Sequence, residues 1–444
     1  MDRWKPGMGR SVPGLKPQGH YIWRPIGGDQ PAHTIDWGCD RLSTDVLSGS
    51  WGGVLMRVVG LFSGIGGLEV GLARAGHQSI ALCEIDPFAR SVLESRLGLP
   101  VESDVRQLAS LPNCDLLAAG FPCQDLSQAG TKHGIAGARS GLVGEVFRLC
   151  SGPGAPKTVL LENVHYMLKL GSGRAMEVLT AAFEDLGYRW SYRVVDARSF
   201  GIPQRRQRVL FLASKEIAPE RVLMADHAHD PSKEHDAPSA QIDPDCLYGF
   251  YWTEGLRGLG WTRDAVPTIK GGSTIGIPSP PAIWDPSTGF IGTPSISDAE
   301  RLQGFIRDWT EPAEFIPQGA RRRWHLVGNA VCVPMAEWIG RRLSKPAEQN
   351  ELPEPKPFPQ RNWPKAAAGR PGERFAYDVS MRVNSHFDLD LRGYLLDDLK
   401  PLSKRASNGF LERAHRQDNR IFIPPQLLDD LSDNLKLRIL EVAA

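Results

Sequence analysis

The chain has 444 residues, and its 52 lysines and arginines against 51 aspartates and glutamates give a formal net charge of +1. Hydrophobic residues make up 41% and charged residues 23%, close to the globular average, which excludes a wholly disordered or collagen-like chain. No apolar run approaches the ~20 residues that span a bilayer, and no signal-peptide pattern is present.

The first 55 residues form a Gly/Pro-rich extension. Residues 1–55 contain 10 glycines and 5 prolines, a share typical of poorly folded segments, although four tryptophans would allow the extension to pack on a neighbour. The segment ends where a strong apolar strand pattern begins. We therefore hypothesise that Met56 is the natural start.

Residues 56–213 alternate short strand patterns with helical ones. The predicted strands are Val58–Phe62, Ser79–Cys83, Asp115–Ala119, Thr158–Leu161, Tyr192–Val195 and Val209–Leu212. The predicted helices are Leu68–Ala75, Pro87–Leu97, Leu142–Cys150 and Met176–Leu186. This alternation predicts a doubly wound, Rossmann-like α/β sheet, in which ligands bind beyond the carboxyl ends of the strands.

The alternation stops after Ala213. Residues 214–294 are rich in Gly, Pro, Asp and aromatic residues and predict a smaller, loop-rich second domain within 214–319, whereas helical periodicity returns around Ile296–Phe305 and at Val331–Leu343. Residues 346–372 are Pro-rich and predict a linker. Residues 373–444 have leucines at helical spacing and predict a C-terminal helical module of unknown role. Truncation of the chain after Leu343 is expected to leave both the chemistry and the specificity of the protein unchanged.

Seven cysteines are scattered along the chain without a Cys-x-x-Cys pair. The odd number and the scatter argue against a disulfide framework and indicate a reducing compartment. They also argue against a zinc site, so no metal is predicted. Because the cysteines indicate a reducing compartment, we expect a cytoplasmic protein.

Acidic and glycine residues follow the first predicted strands. The turn Phe62–Gly67 lets a ligand approach the backbone closely, although it does not match the register of a dinucleotide fingerprint. Glu84 follows the second strand, where an acid can bind ribose hydroxyls, and Asp104 stands where an acid can meet an adenine amine. Taken singly, each acid is more often a helix cap or a surface residue, but together they describe a nucleoside pocket.

Three further groups carry chemistry. Cys123 follows Pro122 at the end of a strand, a suitable place for a nucleophile, and Glu162 follows the next strand. Gln204, Arg206 and Arg208 alternate, which puts them on one face of a strand. Arginines there offer forked donors to carbonyl or phosphate oxygens. The alternatives are a buried apolar cysteine and a solvated basic edge strand.

These residues resemble the ordered motifs of the DNA cytosine-5 methyltransferases over roughly residues 57–345. The matching motifs are Phe62–Gly67, Gly120–Gln124 with Ser127, Glu162–Val164, Gln204-x-Arg206-x-Arg208, Arg301–Phe305 and Gly328–Val331. The resemblance implies methyl transfer from S-adenosylmethionine to C5 of a cytosine flipped out of duplex DNA. It does not extend to the two ends of the chain.

The resemblance also implies a role for each residue. Cys123 would add to C6 of the cytosine, and Glu162 would bind N3 and the exocyclic amine. Arg206 would hold the O2 edge, with Arg208 in support. For the cofactor, Phe62 would stack on adenine, Glu84 would bind the ribose and Asp104 the adenine amine. The remaining predicted cofactor contacts are Gly64, Gly66, Pro122, Asn329 and Val331. Since Asn329 lies far along the chain, residues 320–345 must return to complete the catalytic domain.

The region 214–294 would then be the target-recognition region. It holds 6 basic and 11 acidic residues, a net charge of −5, so phosphate contacts are expected instead from Arg205, Arg321, Arg322 and Arg323. Base contacts are expected around Trp261–Gly272, and Thr268 resembles a threonine of the family. The implied partners are duplex DNA and a cognate restriction endonuclease or other defence proteins encoded nearby. The enzyme is expected to be nucleoid-associated and to act as a monomer on DNA.

Three alternatives remain. An RNA (tRNA) cytosine-5 methyltransferase would share the motifs, but its relatives carry a Cys-Phe-Thr signature that is missing from 214–294. An amino-methyltransferase would need a Pro-Pro-aromatic motif, for which only Ser279–Ala282 is present. The third alternative is a DNA-binding protein that has lost turnover, against which the intact Cys123, Glu162, Arg206 and Asn329 argue.

Overall fold

Strands and helices alternate from Arg57 to Ser214 in the computed structural model, which describes residues 54–121, 141–228, 241–253, 259–272, 278–384, 389–416 and 421–443. The strands of this part are β1 (Arg57–Leu61), β2 (Gln78–Cys83), β3 (Val101–Glu102), β4 (Leu116–Ala119), β5 (Thr158–Val164), β6 (Arg189–Asp196), β7 (Gln204–Arg205) and β8 (Gln207–Ser214). The helices are α1 (Gly67–Arg74), α2 (Pro87–Leu97), α3 (Leu142–Ser151) and α4 (Arg174–Asp185).

The central sheet has the strand order β3-β2-β1-β4-β5-β8-β6. Strands β1 to β5 are parallel, whereas β8 runs antiparallel between β5 and β6. The order reverses between β1 and β4, and ligands of such sheets bind at this switch point. The predicted Rossmann-like α/β fold is confirmed.

Both faces of the sheet are covered, because successive strand residues point to opposite sides. On one face Val59, Leu117 and Val159 pack with α3 and α4. On the other face Val58 and Leu116 pack with α1 and with a helix from much later in the chain. No helix in the described ranges has the length and apolar character needed to cross a membrane.

That later helix is α8 (Val333–Ser344), which follows α7 (Gly319–Asn329). A Cβ on Gly71 of α1 would collide with Ala336, and one on Gly340 would lie 2.7 Å from the Cβ of Ala75. Glycine at both positions therefore allows the two helices to pack closely. This packing brings residues 328–331 back to the first β-α turn.

A second, five-stranded sheet has the order β10-β9-β12-β13-β17, in which β17 (Lys400–Pro401) comes from near the end of the chain. Four of its strands come from the predicted loop-rich region: β9 (Tyr248–Phe250), β10 (Thr262–Arg263), β12 (Ala282–Asp285) and β13 (Phe290–Thr293). Between them, β11 (Val266–Pro267) pairs in parallel with β7 and so ties this region to the main sheet. Two short helices, α5 (Glu220–Leu223) and α6 (Ile296–Arg301), flank the region.

Residues 346–372 differ from the predicted linker. They contain β14 (Lys356–Pro357) and β15 (Ala366–Arg370), which with β16 (Glu373–Ala376) extend the main sheet through antiparallel pairing of β15 with β6. A Cβ on Gly369 would collide with the ring of Trp190, so the small residues of β15 fit against a large aromatic side chain. The prolines lie mostly outside this strand, which is why composition alone predicted a linker wrongly.

The C-terminal residues are not a separate helical module. They contain β17 (Lys400–Pro401), which pairs with β13, and the helices α9 (Leu391–Tyr394), α10 (Lys404–Arg416) and α11 (Pro425–Ala443). Phe410 of α10 is fully buried against Phe250 of β9, with ring centroids 5.4 Å apart. Truncation after Leu343 would thus remove part of two sheets and of a hydrophobic core, contrary to the expectation that it would be harmless.

Candidate active site

The first turn and Glu84 form one hydrogen-bonded unit. Glu84 Oε2 accepts from the Gly64 backbone N–H at 2.8 Å, and Oε1 accepts from that of Asp86 at 2.8 Å. Burial raises the pKa of Glu84. Phe62, Gly64 and Gly66 have φ values of 54°, 55° and 90°, so the backbone of the turn adopts left-handed conformations. Nothing lies within 4 Å of a Cβ built on Gly64, which leaves space in front of the turn.

Four predicted site elements converge at the end of β4. A Cβ on Gly120 would lie 3.7 Å from Val331 Cγ2 and 3.9 Å from both Glu162 Oε2 and the Phe62 carbonyl oxygen. Only a hydrogen fits on Gly67, because a Cβ there would collide with the carbonyl oxygen of Val331. The fold therefore joins the first turn, the ends of β4 and β5, and the returning segment at one place.

Glu162 is buried and paired with Arg208 across the antiparallel β5 and β8. Glu162 Oε1 lies 2.8 Å from Arg208 Nε, and each side chain is about one-tenth exposed. The adjacent Asn163 donates from Nδ2 to the Phe121 carbonyl oxygen at 3.0 Å. This bond fixes the backbone just before Pro122 and Cys123, which themselves lie outside the described residues.

Arg206 has a different environment from Arg208. It is 1% exposed and donates to the carbonyl oxygens of Ile269 (3.2 Å), Gly328 (3.2 Å) and Ala330 (2.5 Å). Burial, with the nearby cation of Arg208, lowers the pKa of Arg206 to about 9. Arg206 thus connects the recognition region to the returning segment, and Arg208 is the arginine that contacts Glu162.

Asp104 closely follows β3, at the expected place, but its carboxylate already binds Arg106. It accepts from the Arg106 backbone N–H at 3.0 Å and forms an ion pair with the Arg106 guanidinium at 2.8 Å. The hydrogen bonds from Arg106 lower the pKa of Asp104. The residue is therefore first an N-cap of the short helix Val105–Gln107.

Asn329 ends α7 at the junction with the recognition region. Its Nδ2 lies 3.1 Å from His325 Nε2, and His325 Nδ1 lies 3.1 Å from the Gly271 carbonyl oxygen. On the other side of this junction Thr268 donates to the Arg205 carbonyl oxygen at 2.7 Å. A cavity of about 420 Å³ lies beside Thr268, lined also by Arg205, His165 and Gln207.

The predicted phosphate-contact arginines are not equivalent. Arg321 is exposed, but Arg322 donates to Asp86 at 2.9 Å. Arg323 is buried and contacts Glu300, Glu314 and Asp308. Arg323 therefore stabilises the fold, and Arg205 and Arg321 remain the better candidates for phosphate contacts.

Sequence reasoning missed two buried residues beside the first turn. Trp309 donates from its indole N–H to the Ile65 carbonyl oxygen at 2.8 Å, across 244 residues of chain. Glu69 on α1 is 2% exposed, and burial raises its pKa to about 7. No local pattern marks Trp309, whereas an acid among the apolar positions of the first helix was a visible signal for Glu69.

Comparison with known proteins gives an independent view of these motifs. Residues 56–244 match the family model of the C-5 cytosine-specific DNA methylases. The chain is 49% identical over 377 residues to the Type II methyltransferase M2.BsuMI of Bacillus subtilis, covering 82% of this chain and 94% of that protein. The similarity extends well beyond the matched motifs, because it includes most of the chain.

More distant relatives have the same kind of name. The Type II methyltransferase M.MspI of a Moraxella species is 27% identical over 311 residues, which are 65% of this chain and 70% of that protein. Among solved structures, the Entamoeba histolytica methyltransferase EhMeth aligns with a TM-score of 0.45 and 15% identity, covering 65% of this chain and 98% of that one.

Proposed function

The chain belongs to the C-5 cytosine-specific DNA methylase family and is a DNA cytosine-5 methyltransferase; from this premise we propose how it acts. The proposal is that it methylates C5 of a cytosine flipped out of a specific duplex sequence. The observation that carries the proposal is the convergence of Phe62, Gly120, Glu162 and Val331 at the switch point of the sheet.

The pocket beyond β1 and β2 suits S-adenosylmethionine, which supplies an electrophilic methyl group. Glu84 uses one lone pair of each oxygen on backbone N–H groups, which leaves others for ribose hydroxyls. The open space at Gly64 fits a ligand that lies against the backbone, and Gly66 and Val331 would border it. Phe62 would stack on adenine, with Pro122 and Asn329 as further contacts. Asp104 would contact the adenine amine only while keeping its ion pair with Arg106.

Cys123 would be the nucleophile. Its thiolate would add to C6 of the cytosine, forming a C–S bond and leaving carbanion character at C5, which takes the methyl group. Loss of the C5 proton and departure of the Cys123 sulfur would then restore the ring. The hydrogen bond from Asn163 to the Phe121 carbonyl oxygen supports this role, because it fixes the backbone that leads from β4 to Cys123.

Glu162 would stabilise the charge that develops during this addition through contacts with N3 and the exocyclic amine. Its ion pair with Arg208 holds the carboxylate in place. The roles expected for the two arginines are therefore exchanged in this proposal. Arg208, next to Glu162, would reach the O2 edge of the base, and Arg206 would hold the wall of the pocket through its three carbonyl contacts.

The cavity lined by His165, Arg205, Gln207 and Thr268 would lie on the DNA side of the site. Among its lining residues, His165 directly follows β5, Arg205 belongs to β7, and Thr268 directly follows β11, which pairs with β7. Arg205 brings a cation to this cavity, as a contact to the phosphates beside the flipped nucleotide requires. The residues between β10 and β12 would read the bases.

The test of the whole proposal is sequencing of modified DNA. Bisulfite sequencing of plasmid DNA from cells that express the enzyme is expected to show 5-methylcytosine in one short sequence. A parallel incubation with tRNA and labelled cofactor tests the RNA alternative. Labelled tRNA with unmodified DNA would contradict the proposal.

The covalent step has its own test. Duplex DNA with 5-fluorocytosine in the target is expected to trap the wild-type enzyme as an adduct, because fluorine blocks loss of the C5 substituent. Cys123→Ser is expected to bind the cofactor and form no adduct. An adduct that maps to another cysteine would refute the assignment of Cys123.

The biological role we propose is protection of host DNA within a restriction-modification or related defence system. The support is the Type II designation of the relatives. A nuclease encoded beside the gene and blocked by this methylation would be the expected partner. Cleavage of the methylated plasmid by that nuclease at the same sites would contradict this role.

A further inference from the structure

The C-terminal segment 389–443 supplies much of the core beneath the recognition sheet. From the sheet come Tyr248, Phe250, Trp261, Trp284 and Ile291, and from the C-terminal segment come Leu402, Phe410, Leu411, Ile423, Leu427 and Leu431. Strand β17 adds to the edge of the same sheet beside β13. The segment is thus an integral part of the recognition domain.

One polar contact links this segment to the turn after β9. Arg413 on α10 donates from Nη2 to the Trp252 carbonyl oxygen at 2.6 Å. The Trp252 indole N–H donates to the Pro280 carbonyl oxygen at 2.8 Å, just before β12. Arg413 therefore holds a turn that bridges two stretches of the recognition region.

The same turn also contacts the cavity that is proposed to face the DNA. Tyr251, the neighbour of Trp252, donates from its hydroxyl to the Thr268 carbonyl oxygen at 2.7 Å. Lys270 Nζ lies 3.8 Å from the centre of the Tyr251 ring. Thr268 lines the cavity beside Arg205. Two hydrogen bonds, joined by the peptide bond between Tyr251 and Trp252, thus connect α10 to the wall of that cavity.

The distribution of charge also supports a role of α10 near DNA. Residues 214–294 carry a net charge of −5, whereas α10 has four basic residues, Lys404, Arg405, Arg413 and Arg416, against the single acid Glu412. A surface that approaches the phosphates of DNA needs cations. Within the recognition domain, Arg413 and Arg416 provide cations at the end of α10 beside Trp252, whereas Lys404 and Arg405 lie at its opposite end.

We propose that the C-terminal end of α10, residues 413–416, belongs to the DNA-recognition machinery and that Arg413 is a positioning residue for target specificity. It acts through the Trp252 carbonyl group, which sets the place of Tyr251 and Thr268. This inference rests on the proposed methylation of duplex DNA and adds a specificity determinant that lies outside the family motifs.

The test compares the full-length wild type with Arg413→Ala, Arg413→Lys and, as a matched control, Arg405→Ala, a change of an exposed arginine at the opposite end of α10, outside the proposed surface. Bisulfite sequencing of plasmid DNA first gives the target and the methylation at sites one base pair away. Steady-state kinetics then use a duplex oligonucleotide with the wild-type target, and thermal melting checks the fold.

Loss of a hydrogen bond from a charged donor predicts a KM for DNA about tenfold higher in Arg413→Ala, with more methylation at near-target sites. The kcat at saturating DNA and the KM for the cofactor should stay near wild type. Arg413→Lys, which keeps a donor, should recover much of the loss, and Arg405→Ala should match wild type.

Two results would overturn the inference: a folded Arg413→Ala with wild-type target and KM, or equal losses for DNA and cofactor, which would indicate a purely structural role. If Arg413→Ala does not fold, Arg413→Met is measured in its place, because methionine keeps an apolar stem of similar length but has no donor; a folded Arg413→Met with the wild-type target and KM also overturns the inference. A wild-type enzyme that methylates no DNA would instead refute the proposed function, and this inference with it.

Discussion

The two sheets of the molecule are built in different ways. In the main sheet, seven of the ten strands, β1 to β6 and β8, come from the stretch Arg57–Ser214, and the other three, β14 to β16, are added at one edge. In the recognition sheet, β13 pairs with β17 across more than 100 residues, and Trp284 donates to Asp430 across 146. The first sheet is largely local in sequence, whereas the second is completed by the end of the chain.

This difference shows where a function can be read from motifs. A chain of β-α units places chemical groups at strand ends by local rules, so the order of the motifs carries the site. The recognition sheet has short strands, and its helices arrive from a distant segment. Its role depends on contacts that no short motif records.

Both sheets contain strands from beyond Leu343, so truncation after that residue gives the largest expected effect. Removal of β14 to β17 and of α9 to α11 exposes the partners of Phe410, Leu427 and Leu431. We expect loss of soluble, active enzyme, measured as soluble yield, cofactor binding and plasmid methylation. The exposed Arg361→Ala in the same part of the chain is the control. A soluble truncation that methylates the wild-type sites would contradict this structure-based expectation.

In the catalytic half, Glu162→Gln should slow methyl transfer by about 10²–10³-fold, because one preorganised contact to developing charge is lost. Single-turnover transfer measures the rate, and fluorescence anisotropy should show nearly unchanged DNA binding. Glu177→Gln, an exposed change on α4, should behave as wild type. Wild-type rates in Glu162→Gln would remove this residue from the mechanism.

A matched pair of core changes tests whether both halves are stabilised by a packed aromatic core. Phe183 packs against Phe147, Tyr188 and Phe211 in the main core, and Phe410 packs in the recognition core; both are fully buried. Each change to alanine should cost about 3–5 kcal/mol of unfolding free energy. Urea denaturation followed by tryptophan fluorescence measures both. A negligible loss in Phe410→Ala would mean that the recognition core is not a stabilising unit.

The smallest effect concerns the pH dependence of stability in the catalytic half. Burial raises the pKa of Glu69 from 4.5 to about 7, so the native state holds a proton that the unfolded chain releases. The stabilising contribution is complete below pH 4.5 and is lost as the pH rises to about 7, a change of about 3 kcal/mol at most. Glu69→Gln should lack this part of the pH dependence, measured by urea denaturation at pH 5 and pH 8. Parallel curves for wild type and variant would show that Glu69 does not titrate in this range.

Much of the catalytic half could be predicted from the sequence. The helix predicted over Pro87–Leu97 has those bounds in the structure, because Asp86 caps its start, Pro87 fits its first turn and Gly98 ends it. Glu84 follows β2 as the alternation predicted, whereas Glu162 lies within β5, one residue past the pairing of β5 with β4, because β5 continues to Val164. These features depend on residues that are close in sequence.

The different roles of Arg206 and Arg208 could not be predicted in this way. Alternation puts both on one side of the strand, but only the fold brings Gly328 and Ala330 to Arg206 and Glu162 to Arg208. In the same way, the proline-rich composition of 346–372 predicted a linker, because composition cannot show that β15 pairs with the edge of β6.

The sequence by itself determined the α/β class, the strand ends that carry the site and the family, because periodicity, caps and motifs are local properties. Only the tertiary structure decided which distant segments complete each half. Side-chain packing against Phe250 and hydrogen bonds such as that from Arg413 to Trp252 join residues more than 150 positions apart. Such contacts depend on burial and geometry in the folded chain, and no spacing along the sequence encodes them.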